Sequence, residues 1–357
     1  MRLIVPMGGR GTRLRPFSHT TPKALLPVAG QPAIVRSLGA FADALPRPVD
    51  EAVFVLNPAD RAGDVPDALA AACRAVGVEA RFAVQDEPLG TAHAIASAGD
   101  LLAGEILTVW SDTLFRAERR ADLDGAAGGG PLDLVAWTLD VEDPRRFGVV
   151  VRDDAGAVTG LLEKPPDARF TETLIGAYYV REGAALRRQI AGMMARGETG
   201  AGGEYQLTDA LDGLVREGAR VATEAVAEWL DVGTVPAYLD AVFRTLDHAE
   251  AAAAGDPGGG RREVGEDVTI VPPVYVAPGA TVARSTLGPY VSLEAGARVE
   301  DSHIRNTVAF SEAAVRDSQL DGAVLGARAT AVRATGSVLL GDDASVGDRV
   351  RPQAPAA

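Results

Sequence analysis

The chain has a single cysteine, Cys73, in 357 residues, which excludes an intramolecular disulfide framework. The apolar stretch Leu69–Val76 around it predicts a helix with the thiol packed inside. No apolar run approaches the roughly 20 residues of a membrane span. The first residues lead straight into a strand-like stretch rather than a signal peptide, so a cytoplasmic protein is expected. Histidine occurs only four times, and no His/Cys cluster suggests zinc. Positive charge is in deficit, with a formal net charge of −14, which argues against nucleic acid or an anionic membrane as partner. Small anionic substrates stay compatible with it if positive charge is concentrated locally.

Lysine is the scarcest charged residue. Of 35 basic residues only Lys23 and Lys164 are lysines; the rest are arginine. A bias toward arginine acts on surfaces where the two are nearly equivalent. It acts less where a compact, mobile ammonium is needed instead of a planar fork. Both lysines are therefore candidate functional residues.

The first lies in the stretch that organises the chain. Arg2-Leu3-Ile4-Val5 reads as a buried strand and is followed by Gly8-Gly9-Arg10-Gly11-Thr12-Arg13-Leu14-Arg15-Pro16, then by Pro22-Lys23-Ala24-Leu25-Leu26-Pro27-Val28. Glycines bring bare N–H groups onto an anion, and Arg13 and Lys23 add full charges where polyphosphate oxygens would lie. A Walker loop would need Gly-Lys-Ser/Thr, which is lacking. A dinucleotide fingerprint fails because Leu14 stands at its last glycine. The pattern Gly-Gly-x-Gly-Thr-Arg-Leu-x-Pro followed by Pro-Lys-x-Leu-x-Pro-Val resembles the signature of the sugar-1-phosphate nucleotidyltransferases, the NDP-sugar pyrophosphorylases. One departure is Pro6-Met7 in place of the usual Leu-Ala.

Further along, strands at 51–56 and 79–83 alternate with helices at about 32–45 and 66–75, the pattern of a mainly parallel, Rossmann-like α/β sheet. Ligands then sit at the C-terminal strand ends. The loop Gln85 to Ala94 leaves one such strand. Gly90 there can approach a base face, and the Gln85 amide can meet the O4 and N3–H of a pyrimidine; the resemblance gives both the same roles. Gly8, Gly9, Gly11, Thr12 and Thr91 complete the expected nucleotide site. His93 receives no role. The strand Ile106–Trp110 ends at Asp112, and a late apolar run ends at Asp231 after Glu228-Trp229-Leu230. Both resemble the family's metal aspartates, and two carboxylates with phosphate oxygens and water suit Mg²⁺.

A strand at 132–139 precedes a predicted hairpin. It runs from Phe147-Gly148 through a turn at 153–156 to Glu163-Lys164-Pro165. Glu163 can accept from sugar hydroxyls while Lys164 reaches the sugar phosphate. By resemblance Gly148, Tyr178 and Trp229 join this sugar site, and Gly203–Asp209 reads as its lid. Arg13, Lys23, Asp112, Lys164 and Asp231 make the expected catalytic set.

A helix at 235–254 leads into a glycine-rich linker at 255–262. Beyond it apolar residues recur at steps of about six from Val264 to Ile304, more loosely to Leu325. This predicts a left-handed parallel β-helix over 263–350, after a nucleotidyltransferase domain over 1–254. The repeats, with only His303 and no lysine, are read as an assembly or regulatory device and imply a homo-oligomer.

The resemblance implies transfer of a nucleotidyl group from UTP or dTTP to a sugar-1-phosphate, glucose-1-phosphate by default. Three alternatives stay open: a GTP-using mannose-1-phosphate guanylyltransferase, a non-catalytic regulatory subunit, and a sugar acyltransferase acting through the repeats.

Overall fold

The computed structural model describes residues 1–9, 11–125, 130–254, 265 and 267–347. They form two compact units. One is built from residues 1–9 and 33–230, the other from 11–32 and the described residues from 231 onward.

The first unit is a ten-stranded mixed sheet covered by helices. Its strands are β1 (Arg2–Pro6), β2 (Glu51–Leu56), β3 (Glu79–Val84), β4 (Ile106–Val109), β5 (Thr113–Ala117), β6 (Leu134–Asp140), β7 (Gly148–Arg152), β8 (Val158–Glu163), β9 (Glu172–Val180) and β10 (Val221–Asp231). The order is β3-β2-β1-β4-β9-β6-β10-β5, with β7 joining β9 to β8. β1 runs parallel to β2 and β4, and β2 parallel to β3. β9 runs antiparallel to β4 and β6, while β10 is parallel to β6. The expected Rossmann-like sheet is therefore present.

The sequence of β1 and β2 is apolar without alternation because both faces of the sheet are covered. Besides the single turn Pro58–Ala62, the α-helices are α1 (Ala33–Ala44), α2 (Val65–Arg74), α3 (Thr91–Ala96), α4 (Gly183–Arg196) and α5 (Leu207–Arg216). On one face Ile4, Val53, Ile106 and Tyr178 pack with Ile95 of α3, Ile190 of α4 and Leu211 of α5. Elsewhere in the sheet Phe41 of α1 stands edge-on to Phe115 at 5.2 Å and to Trp137 at 5.5 Å. Such pairs add about 1 kcal/mol each beyond area burial. Cys73 is fully buried in α2, and burial pushes its thiol up to about 11.

The second unit contains α6 (Val235–Ala254), with the limits its sequence predicts. The predicted linker 255–262 lies outside the described residues. Beyond it three five-stranded parallel sheets stack as the expected left-handed β-helix. Three vertical ladders fill the interior. Ile270, Leu287, Ile304, Leu320 and Gly336 stand in register. So do Val276, Leu293, Ala309, Leu325 and Leu340. The third ladder is Val282, Val299, Val315, Ala331 and Val346. Where the apolar count is loose the coils are still regular, and they continue to Gly347. Small residues in the ladders, the buried Ala309 and Ala331 and the exposed Gly336, hide the repeat from an apolar count while keeping its spacing.

Candidate functional site

In the first unit the parallel strands deliver their C-terminal loops to one edge of the sheet. Pro6 at the end of β1 pairs with Val55, and Leu56 pairs with Val84. Gly8 and Gln85 leave those ends together. A Cβ on Gly8 would stand 2.5 Å from Oε1 of Gln85, so only glycine lets the backbone lie under that amide. Gln85 is buried, and its Nε2 donates to the Gly90 carbonyl at 3.2 Å and to Nδ1 of His93 at 3.1 Å. Gly9 is exposed, with nothing near a Cβ.

Gly90 has φ 122, and a Cβ there would meet the Tyr205 backbone at 2.5 Å. The glycine is thus required by a neighbouring chain segment. Tyr205 N–H donates to Leu89 O at 2.9 Å, and Ala92 N–H to Tyr205 O at 2.8 Å. The Thr91 hydroxyl accepts from Leu207 N–H at 2.9 Å and donates to Gln206 Oε1 at 3.3 Å. The stretch read as a sugar lid is in this way laced to the Gln85–Gly90 loop.

Asp112 follows β4 in a turn. Just before it, Trp110 lies over Gly176, where a Cβ would come within 2.0 Å of the indole. Gly176 takes φ 81, in the stretch of β9 where the register against β6 shifts between Leu174 and Tyr178. Such an irregularity re-aims the strand beside a site.

Glu163 ends β8 and gathers the residues read from the sequence as a sugar site. Its Oε2 accepts from the Thr208 hydroxyl at 2.7 Å, and its Oε1 lies 3.9 Å from Nζ of Lys164. A Cβ on Gly148 would stand 3.1 Å from Glu163 Oε2 and from Thr208 Oγ1. Tyr178 is buried beneath, hydrogen-bonded to Thr208. Burial first, then the Glu163 charge, drives its hydroxyl well above the usual tyrosine value. Lys164 is exposed and has φ 48, a left-handed conformation that costs a non-glycine residue about 1–2 kcal/mol. Its own N–H donates to Phe147 O at 2.8 Å. Phe147 meets Trp229 edge-on at 5.0 Å, and the buried Nε1 of Trp229 has no acceptor.

In the second unit Thr12 and Arg13 are exposed on the short helical turn Thr12–Leu14. Gly11, at φ 58, carries Lys23 above it: a Cβ would meet Cγ and Cε of Lys23 at 3.2 Å. Asp231 is exposed, its Oδ1 fixed by Gly233 N–H at 2.8 Å. A Cβ on Gly233 would be 3.3 Å from Nη2 of Arg13, so the glycine admits the guanidinium.

The model of the family described as "Nucleotidyl transferase" matches residues 3–248. The chain belongs to that family. The resemblance to sugar-1-phosphate nucleotidyltransferases read from the sequence holds, and an enzyme of that class is the result. A glucose-1-phosphate thymidylyltransferase of Streptomyces antibioticus is 28% identical over 91% of this nucleotidyltransferase and 92% of its own length. The bifunctional protein GlmU of Burkholderia thailandensis is 30% identical over 98% of this chain and 76% of its own. Among solved structures, a UDP-glucose pyrophosphorylase complexed with UDP-glucose matches with a TM-score of 0.55 at 18% identity. It covers 69% of this chain and 98% of that one, a likeness of fold.

Two residues with no assigned role emerge at these sites. His93 holds the Gln85 amide, and Thr208 holds Glu163. A histidine on a short helix carries no signal of its own. Thr208 did carry one, since it lies inside the Gly203–Asp209 stretch singled out for its pattern.

Proposed function

We propose that the protein transfers a uridylyl or thymidylyl group from the nucleoside triphosphate to glucose-1-phosphate, releasing pyrophosphate. The observation that carries this reading is the placement of the two lysines. Lys23 lies over Gly11 of the glycine-rich loop, and Lys164 stands beside Glu163 in a strained left-handed backbone. Backbone strain of this kind persists where a side chain must be aimed. With its Nε2 held by Gly90 and His93, the buried Gln85 amide keeps Oε1 as the atom that can accept from the N3–H of a pyrimidine; the donor half of the expected pairing, to O4, is taken up within the protein. The printed name of the Streptomyces antibioticus relative, a glucose-1-phosphate thymidylyltransferase, supports a pyrimidine nucleotide and a glucose phosphate.

The roles follow from charge. An oxygen of the sugar phosphate attacks the α-phosphorus in line, and that oxygen is already anionic near neutral pH, so no general base is required. Arg13 and Lys23 bind the triphosphate, and Lys164 binds the sugar phosphate. Glu163, held by Thr208, accepts from sugar hydroxyls, and Trp229 offers an indole N–H. Asp112 and Asp231 would hold Mg²⁺. They are hard oxygen donors, and Asp231 is already fixed through one oxygen by Gly233. Among the described residues no group of three or more His, Cys, Asp or Glu is gathered for a metal, so phosphate oxygens and water would complete the shell. Mg²⁺ bound there would neutralise phosphate charge during transfer.

The protein is further proposed to work in the cytoplasm as a homo-oligomer joined through its repeats, which light scattering would check. The deciding experiment is a matrix of five nucleotides against several sugar-1-phosphates, read as pyrophosphate release. Highest kcat/KM for UTP or dTTP with glucose-1-phosphate supports the reading. Highest values for GTP with mannose-1-phosphate overturn it, and acetyl-CoA turnover would reassign the repeats.

A further inference from the structure

Residues 11–32 carry Arg13 and Lys23 but little regular structure. They contain three short helical turns, Thr12–Leu14, Phe17–His19 and Lys23–Leu25, and a minimal hairpin of Pro27–Val28 with Gln31–Pro32. Its short turns are closed by a few local bonds, such as Leu26 N–H to Lys23 O at 3.1 Å. Further support comes from far along the chain. Phe17 is buried with its ring 5.7 Å from Phe310 of the β-helix, and Phe310 also meets Tyr238 of α6 at 6.3 Å. The next residue, Ser18, donates its hydroxyl to Gly11 O at 2.6 Å. Gly11 in turn has both Ser18 and Lys23 against its missing Cβ. A packed path therefore runs from Phe310 through Phe17, Ser18 and Gly11 to Lys23.

The other side of Lys23 is fixed separately. The hairpin turns through Ala29 at φ 46 and Gly30 at φ 86. Gly30 lies on the ring of Tyr275, where a Cβ would fall within 2.2 Å. Its N–H donates at 3.1 Å to Oε1 of Glu294, a buried carboxylate that also accepts from Ser292 at 3.0 Å. The Tyr238 hydroxyl donates to Pro27 O.

We propose that Phe310 and Glu294 of the β-helix are positioning residues for the nucleotide. They seat the segment on both sides of Lys23 and so set where Arg13 and Lys23 stand. The repeats on this view are part of the nucleotide-binding apparatus. The proposal rests on the reading that Arg13 and Lys23 take the triphosphate.

The test uses full-length variants and steady-state pyrophosphate release, with both substrates varied. Phe310→Ala and Glu294→Ala should each raise KM for the nucleoside triphosphate by about tenfold or more. KM for the sugar-1-phosphate should change by less than about twofold. Phe310→Leu and Glu294→Gln, which keep bulk and an acceptor, should recover most of the loss. Leu320→Ala is the control for simple destabilisation, because Leu320 is buried in the β-helix interior. It should lower the melting temperature without splitting the two KM values. Should Phe310→Ala fail to fold, the Glu294 pair carries the test. Equal shifts in both KM values, no shift, or the same split from Leu320→Ala would overturn the proposal. Arg13→Ala is run alongside. If it raises the nucleotide KM while the Phe310 and Glu294 variants do not, this inference alone falls. If it does not raise it, the assignment of Arg13 falls, and this inference with it.

Discussion

The Gln85 amide donates from one nitrogen to both Gly90 O and His93 Nδ1, at 3.2 and 3.1 Å. The donor is thereby used up within the protein, and Oε1 is the amide atom turned toward Gly8. His93 then acts as a brace that decides which end of the amide faces the loop.

His93→Ala should loosen this amide without touching Arg13, Lys23 or Lys164. The expected result is a loss of about 1 kcal/mol in discrimination between pyrimidine and purine triphosphates, roughly fivefold in the ratio of kcat/KM values. Competition assays with paired nucleotides measure it. An unchanged ratio would mean that Gln85 does not read the base.

Lys164→Arg and Lys23→Arg should separate the two substrates. A planar fork does not replace a point charge on a flexible stem. We expect Lys164→Arg to raise KM for the sugar-1-phosphate by about tenfold and Lys23→Arg to act mainly on the triphosphate. Initial-rate grids in both substrates distinguish the two. The same constant moving equally in both variants would refute the assignment.

Asp112→Ala and Asp231→Ala should each lower kcat by about three orders of magnitude or more while the circular dichroism spectrum stays unchanged. Titration of Mg²⁺ against activity should give a weaker midpoint for the corresponding Asn variants. Turnover close to wild type in either alanine variant would take that residue out of the site.

Asp209 sits next to the Glu163–Thr208 pair in sequence and beside it in charge. Burial first, then the charges of Glu163 and Asp212, hold its carboxyl above the usual value, against the pull of Arg216. A raised folded-state pKa contributes stability that is full below the unfolded value and is lost as pH rises through the folded one. Asp209→Asn should therefore stabilise the protein near neutral pH and leave it little changed near pH 4. Urea midpoints at the two pH values check the sign, and stabilisation at the acidic pH instead would contradict it.

Gly176→Ala should be severely damaging. The new methyl would strike the Trp110 indole, and its φ of 81 is one an alanine resists. A loss of more than about 2 kcal/mol in stability is expected, with reduced activity through the Asp112 turn. Thermal unfolding measures it; a wild-type midpoint would show that Trp110 moves aside freely.

Much of this arrangement is legible in the sequence because it is local. The glycine-rich loop, the Glu163-Lys164 pair and the hexapeptide step each lie within a few residues. The strands that begin at Arg2 and Glu51 follow from the apolar runs Leu3–Val5 and Ala52–Leu56. What is not legible is set by distant partners. Gly90 looks like an approach to a base, whereas the Tyr205 backbone demands it. Gly30 and Glu294 are 264 residues apart, and neither lies in a pattern that names the other. The late coils escape an apolar count because Ala331 and Gly336 keep the spacing without the hydrophobicity.

The seat of the Lys23 segment also bears on how the protein is made. Thr20 donates to Asp342 at 2.6 Å, a partner 322 residues later in the chain. On a ribosome adding about 5–20 residues per second, the signature segment waits on the order of 15–60 s before that partner exists. The nascent first unit can close its sheet earlier, because its strands are all synthesised by Asp231. The seating of Arg13 and Lys23 is then among the last events of biogenesis. A chain released early, short of its final coils, would hold the sheet and still lack its anchored cations.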